Sequence, residues 1–343
     1  MLSENKDMNF VNYLLAFTDD VGIFQHSNFG VPDRNHGYTT DDNARALILA
    51  VMLYEKFGEE KYLKLILTYL SFVFHALNSD GMFKNFMNYE RVFLELQGSE
   101  DCFGRCIWAM GRTISSPSVP QNMKNTCQHI LKEASKNIKI INSPRAKAYT
   151  IVGLSFVGDS EETLSYIDLL AIALTKQYKI YKDETWHWFE DSMTYGNAFF
   201  PWSLFCAYRR LGKECYFETA KESMDFLERI VMKPDYFKPI GCNGWLLKGM
   251  KPAEYDEQPI EACEMVFAYM EYYKNINDEK YLVNALKCFN WYKGKNSKNI
   301  SLIDDETGAC YDGINKEGLN LNQGSESIVS YGMAVLEVCK IKL

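Results

Sequence analysis

Thr40-Asp41-Asp42-Asn43-Ala44-Arg45-Ala46 opens a run in which Ala44, Leu47, Ile48, Val51 and Tyr54 fall at helical spacing. A hydroxyl residue, two carboxylates, then small and apolar side chains write a helix start. The hydroxyl accepts a free backbone N–H, and the carboxylates sit at the positive end of the helix dipole. Five later segments are built alike: Ser99-Glu100-Asp101-Cys102-Phe103-Gly104-Arg105, Ser143-Pro144-Arg145-Ala146-Lys147-Ala148, Glu190-Asp191-Ser192-Met193-Thr194-Tyr195-Gly196-Asn197-Ala198, Asp256-Glu257-Gln258-Pro259-Ile260-Glu261-Ala262 and Asn322-Gln323-Gly324-Ser325-Glu326-Ser327. Their starts recur every roughly 45 to 65 residues, which makes the chain a sixfold repeat. Thr40, Ser99, Ser143 and Ser325 are the expected cap residues.

Longer amphipathic segments lie between them, at 60–77, 122–134, 161–174, 216–231 and 279–292. One polar and one apolar face suits an outer helix packed on an inner one. Ala and Gly are frequent in the inner segments, which lets neighbours approach closely. No strand-like alternation of any length and no Gly/Ser/Pro-rich linker occurs; short hairpins are expected at 81–86 and 242–246. The expected fold is all-α, an (α/α)6 toroid, with residues 1–343 forming a single domain.

The net charge of -8 opposes phosphate backbones, so no nucleic-acid partner is expected. No apolar run reaches the roughly 18 residues of a membrane span. The start Met1-Leu2-Ser3-Glu4-Asn5-Lys6-Asp7 lacks the basic and apolar blocks of a secretory signal, so a cytoplasmic location is expected. The ten cysteines are scattered and read as reduced thiols, with no zinc-like spacing. No Gly-x-Ser-x-Gly elbow, Walker-A loop or His-Glu-x-x-His helix is present.

In a ring of hairpins the inner helices run parallel, and their N-terminal ends share one face. Carboxylates therefore converge there. Each could simply stabilise a helix end, worth about 0.3–1 kcal/mol. Recurrent acid doublets flanked by aromatics also suit glycoside hydrolysis, in which one carboxylic acid protonates the leaving oxygen and a second carboxylate activates water. The candidate acid–base set is Asp42, Asp101, Glu190, Asp191 and Glu257. Asp41, Arg45, Arg105, Tyr195, Asn197, Gln258, Asn322 and Glu326 are candidates for binding sugar hydroxyls. His36, Tyr38, Trp186, Trp188 and Trp245 are candidates for the platform on which a sugar ring stacks. The expected activity is inverting hydrolysis of an oligosaccharide, with water as nucleophile and no cofactor or metal. One alternative is a sugar epimerase or isomerase, which would place His36 and His187 face to face. Another is a non-catalytic glycan-binding partner.

The stretches 32–47, 188–198, 255–262 and 308–327, the first and last being the longest, resemble a bacterial family of six-hairpin proteins found fused to, or encoded beside, glycosyltransferases. The resemblance implies a six-hairpin glycosidase-like fold and a glycosyltransferase partner. It implies no particular reaction. No nucleotide-sugar Rossmann half accompanies it here.

Overall fold

Helices begin where the first three repeats place them, at Thr40, Glu100 and Pro144, in the computed structural model, which describes residues 7–342. Thr39, rather than Thr40, caps the first of these, accepting from the Asp42 N–H; Ser99 and Ser143 cap the other two in the same way. The three later helices start further on, at Phe199, Pro259 and Ser325. Left-handed backbone at Gly196 and Asp256 (φ 63° and 64°) turns the chain upstream of two of them, so the acids at 190–191 and 256–257 lie in loops rather than first turns.

The helices are α1 (Phe10–Ala16), α2 (Thr40–Phe57), α3 (Glu60–Ala76), α4 (Glu100–Ser115), α5 (Gln121–Ala134), α6 (Pro144–Leu154), α7 (Glu161–Tyr181), α8 (Phe199–Leu211), α9 (Glu214–Val231), α10 (Pro259–Ile276), α11 (Lys280–Phe289) and α12 (Ser325–Val338). The chain divides into two compact units, residues 14–170 and residues 7–13 with 171–342. The stretch 1–6, on which the reading of a missing secretory signal rests, lies outside the described residues. Among the described residues no helix is long and apolar enough to cross a membrane.

In the unit of residues 14–170, α2, α4 and α6 pack side by side, α3 packs on α2, and α5 on α4. From Asp42 to Leu53 every residue of α2 is buried. On α5 only Met123, Cys127, Ile130 and Ala134 are, the single stripe of an outer helix. Glycines set the approach of α4 to α6. A Cβ on Gly111 would lie 1.9 Å from the Gly153 carbonyl oxygen, and one on Gly153 would lie 2.6 Å from Ile107 backbone.

The second unit packs α8, α10 and α12 side by side, with α9 on α8 and α11 on α10. Aromatic rings fill its interior: Phe205 stacks on Tyr272 at 4.2 Å, Tyr272 on Tyr281 at 4.0 Å and Trp202 on Phe267 at 5.1 Å. The N-terminal residue Phe10 meets Tyr331 of α12 edge-on, and the Tyr13 hydroxyl donates to the Gln323 carbonyl.

The strands form pairs of two residues each, the first being β1 (Ser27–Asn28) with β2 (Val31–Pro32). Two of them join the leads of successive inner helices instead of forming the expected local hairpins. β3 (Tyr38–Thr39) before α2 pairs with β4 (Phe86–Met87), which precedes α4. β5 (Ser192–Met193) before α8 pairs with β6 (Leu246–Leu247), which precedes α10. At the opposite helix ends Arg112 of α4 pairs with Glu55 of α2, and Arg209 of α8 with Glu271 of α10 at 2.6 Å. Within each unit the inner helices are thus parallel.

Gly111→Ala is expected to lower the unfolding free energy by about 1–3 kcal/mol, because backbone must move to admit the methyl. Gly158→Ala, with nothing within 4 Å of the added carbon, should leave it nearly unchanged. Urea denaturation of both variants checks this.

Candidate functional site

The starts of α2, α4 and α6 form a charged network. Asp42 is buried and accepts from the Thr39 hydroxyl at 2.6 Å and from Arg45 at 2.8 Å, so it holds the cap residue and an ion pair. Asp41 bonds Arg105, and Arg105 donates onward to the Tyr149 hydroxyl at 3.0 Å. Asp101 accepts from the Ser143 hydroxyl at 2.6 Å, and Glu100 accepts the N–H groups of Asn142 and Ser143. Burial would raise the Asp41 carboxyl, but Arg105 and then Arg45 outweigh it and hold it below the ordinary aspartate value of 3.8. Asp41 is therefore an anion here, unsuited to donate a proton.

Tyr38 is fully buried, and its hydroxyl donates to Asp19 at 2.6 Å; burial first, then that bond, push its pKa far up. It is a core residue, and the expected platform role does not fit. His36 is exposed, its ring edge-on to His26 at 4.8 Å and its Nε2 3.7 Å from Asp33.

In the other unit, the leads of α8, α10 and α12 converge. Glu261, in the first turn of α10, is buried and accepts the Gly196 N–H at 2.7 Å and the Asn197 amide at 3.3 Å. Asp312 accepts the Gly324 N–H at 2.7 Å and the Ser327 hydroxyl at 2.6 Å, which caps α12 from outside. Glu257 accepts from Trp291 Nε1 at 2.7 Å and from the Ser297 hydroxyl at 2.5 Å. Only 1% of Glu257 is exposed, and burial raises its pKa against those donors; it is sealed away from any ligand.

The segment 241–256 is knitted to itself before α10. Gly241 N–H donates to the Ala253 carbonyl, Cys242 N–H to Asp256 and Ala253 N–H to Trp245. A Cβ on Gly241 would lie 1.8 Å from the Tyr255 carbonyl oxygen, so this crossing admits no side chain. Trp245 and Asp256 both hold left-handed backbone, at φ 57° and 64°. Strain of this kind persists only where surrounding structure imposes it. The segment presents Trp245 against exposed Tyr195, with ring centroids 6.4 Å apart. It also sets the Cys242 thiol among carboxylates. Burial first, then Asp256, Glu261 and Glu326, push that thiol's pKa up, so it stays protonated and is no nucleophile.

Among the acids of these leads, Asp191 and Asp256 make no side-chain hydrogen bond or ion pair with any described residue; Asp191 is exposed and Asp256 half-buried. Glu190, Gln258 and Glu326 are half-buried, and Asn322 is exposed. Trp186 and Trp188 are buried. Trp186 packs edge-on to Phe226 and donates to the Glu190 carbonyl, and Trp188 lies against Phe189, Phe200 and Phe226. Both are core, and the expected stacking role does not fit them. His187 lies on Phe226 of α9. Asp256 and Glu261 were absent from the expected site, although both stand in the fifth repeat; the left-handed turn that displays Asp256 has no Gly or Asn-Gly to announce it.

The architecture is similar to that of solved sugar-processing enzymes. A sugar epimerase from a ruminal bacterium matches with a TM-score of 0.75 at 12% identity over 100% of both chains. Cellobiose 2-epimerase from Bacillus thermoamylovorans matches at 0.75 and 10%, over 97% of this chain and 98% of that one. An α-mannanase from Bacteroides thetaiotaomicron matches at 0.67 and 10%, over 98% and 96%. No family model matches the sequence, and no curated protein does. The likenesses establish the fold as all-α, the (α/α)6 toroid of six-hairpin glycosidase-like proteins. They lend no support to an association with glycosyltransferases.

At the charged network, Asp41→Asn should cost about 1.5–3 kcal/mol at pH 7, because a charged acceptor leaves two guanidinium groups. A carboxyl whose folded pKa is depressed stabilises above its unfolded value and loses that contribution as pH falls. The difference between wild type and variant should therefore shrink below about pH 4, which urea titrations from pH 3 to 7 would read.

Proposed function

We propose that the chain is a carbohydrate-active enzyme whose acid–base chemistry is carried by carboxylates at the starts of α10 and α12. The observation that carries this is Asp256: a half-buried carboxylate on left-handed backbone, with no side-chain hydrogen-bond or ion-pair partner among the described residues, in the same 241–256 segment as Trp245, whose ring meets Tyr195. An acid without a side-chain partner is available to exchange a proton with a ligand. Glu326 shares its neighbourhood through Cys242 and is the second candidate. Tyr195 and Trp245 would receive the apolar face of a sugar ring, and Asn197, Gln258 and Asn322 its hydroxyls. Glu261 orients Asn197 rather than touching substrate.

The reaction favoured is glycoside hydrolysis, with one of Asp256 and Glu326 protonating the leaving oxygen and the other activating water or attacking the anomeric carbon. Asp191, exposed beside the β5–β6 pair, is an acid of the expected set that is open to a ligand. The likeness to sugar epimerases supports a second reading, an epimerase or isomerase. The pair His36 and His187 is a poor base set for it, because the His187 ring faces outer helix α9.

A panel of α- and β-linked oligosaccharides and free disaccharides, followed by anomer-resolved NMR in deuterated water, separates the readings. Hydrolysis yields new reducing ends; epimerisation yields a C2 epimer carrying solvent deuterium. Asp256→Asn should lower kcat about 100-fold or more. Trp245→Ala should mainly raise KM. Full activity in Asp256→Asn would remove the assignment, and a wild type silent on every sugar would remove the enzyme reading.

A further inference from the structure

Behind the Trp245 segment lies a cavity of about 300 Å³, lined by Ile230, Lys233, Tyr236, Lys238, Lys251 and Glu254 among others. Three lysines in the lining of one small cavity are unexpected in a protein of net charge -8. Like charges gathered without counter-ions repel one another, and the one carboxylate in the lining is Glu254. The side chains of Lys238 and Lys251 make no hydrogen bond or ion pair with any described residue; the Lys238 ammonium acts at range, lowering the pKa of buried Glu257. Lys233 donates to the Ile230 carbonyl at 2.8 Å, which uses one of its three protons.

The cavity is built rather than incidental. Lys233 N–H donates to the Tyr236 carbonyl and Lys238 N–H to that of Val231, a tight turn that fixes the backbone of both lysines at the lining. Lys287 of α11 clamps the turn by donating to the carbonyls of Lys233 and Pro234. On the far side, the Gly241–Ala253 and Ala253–Trp245 backbone bonds fix residues 251–254. A cavity of this size takes a small ligand, at the lower end of the usual range.

We propose that this cavity binds a phosphate dianion, carried on a phosphorylated sugar or free as inorganic phosphate. Three ammonium donors suit the three terminal oxygens of a phosphate monoester, and a phosphate there would neutralise the cluster. The identification of the sugar rests on the carbohydrate reading above; the phosphate site itself does not.

Calorimetric titration of the full chain with inorganic phosphate, glucose 6-phosphate and glucose tests it. Saturable binding of phosphate is expected, weakened about tenfold by Lys238→Gln or by Lys251→Gln and unchanged in Lys295→Gln, a control outside the cavity. Tighter binding of glucose 6-phosphate than of phosphate, with none of glucose, would identify a phosphorylated sugar; equal binding of both anions would identify free phosphate. No saturable binding by wild type, or wild-type affinity in the Lys238→Gln/Lys251→Gln double variant with an unchanged melting temperature, would overturn the proposal. Phosphate binding without any glycan turnover would keep this site and remove the enzyme reading; turnover without phosphate binding would do the reverse.

Discussion

The start of an α-helix leaves backbone N–H groups without partners, and here the carboxylates of neighbouring segments answer that need. Glu100, in the first turn of α4, accepts the N–H groups that lead into α6. Glu261, in the first turn of α10, accepts the N–H of Gly196 ahead of α8. Asp312 accepts the Gly324 N–H at the start of α12. Buried donors must be satisfied, and a carboxylate does so while also meeting the positive end of the helix. Each such bond ties one hairpin to the next at the end where functional groups collect. Parallel inner helices and a polar face are thus two consequences of one interaction.

The two units meet the packing problem differently. Between α4 and α6, glycine against glycine brings backbones into contact. Between α8, α10 and their outer helices, stacked aromatic rings hold the helices apart and fill the space. The unit with the aromatic interior also carries the long excursion of residues 241–256, whose self-bonded backbone can display Trp245 and Asp256 in left-handed conformations. The unit with the glycine contact carries instead a closed set of ion pairs around Asp41, Arg45 and Arg105.

Much of the fold was legible because cap residues are local. Ser99 and Ser143 work through bonds to residues three positions away, so sequence spacing suffices to see them; where two hydroxyl residues adjoin, the spacing picks out Thr40 and the structure uses Thr39. Roles that depend on distant segments were not legible. Glu257 reads like Asp256 until Trp291 and Ser297, more than 30 positions on, are found bonded to it. Trp186 and Trp188, two apart, look like an open sugar platform; Phe226 of α9 shows them to be core. Glu261 passed for an ordinary first-turn acid because the loop it holds, Gly196-Asn197, lies 65 positions earlier. Acidic segments therefore mark the leads of the inner helices, while the division between structural and available acids comes from contacts.

That division is the central claim, and the stability of charge-neutral variants tests it without knowledge of the substrate. Urea denaturation at pH 7 should show Glu100→Gln, Glu261→Gln and Asp312→Asn each losing about 1–3 kcal/mol, since each weakens a charged acceptor of backbone N–H groups at a helix lead. Asp191→Asn and Asp256→Asn should be as stable as wild type or more so, as expected of residues held for function rather than for folding. Equal losses in both sets, or losses confined to Asp191→Asn and Asp256→Asn, would contradict the account.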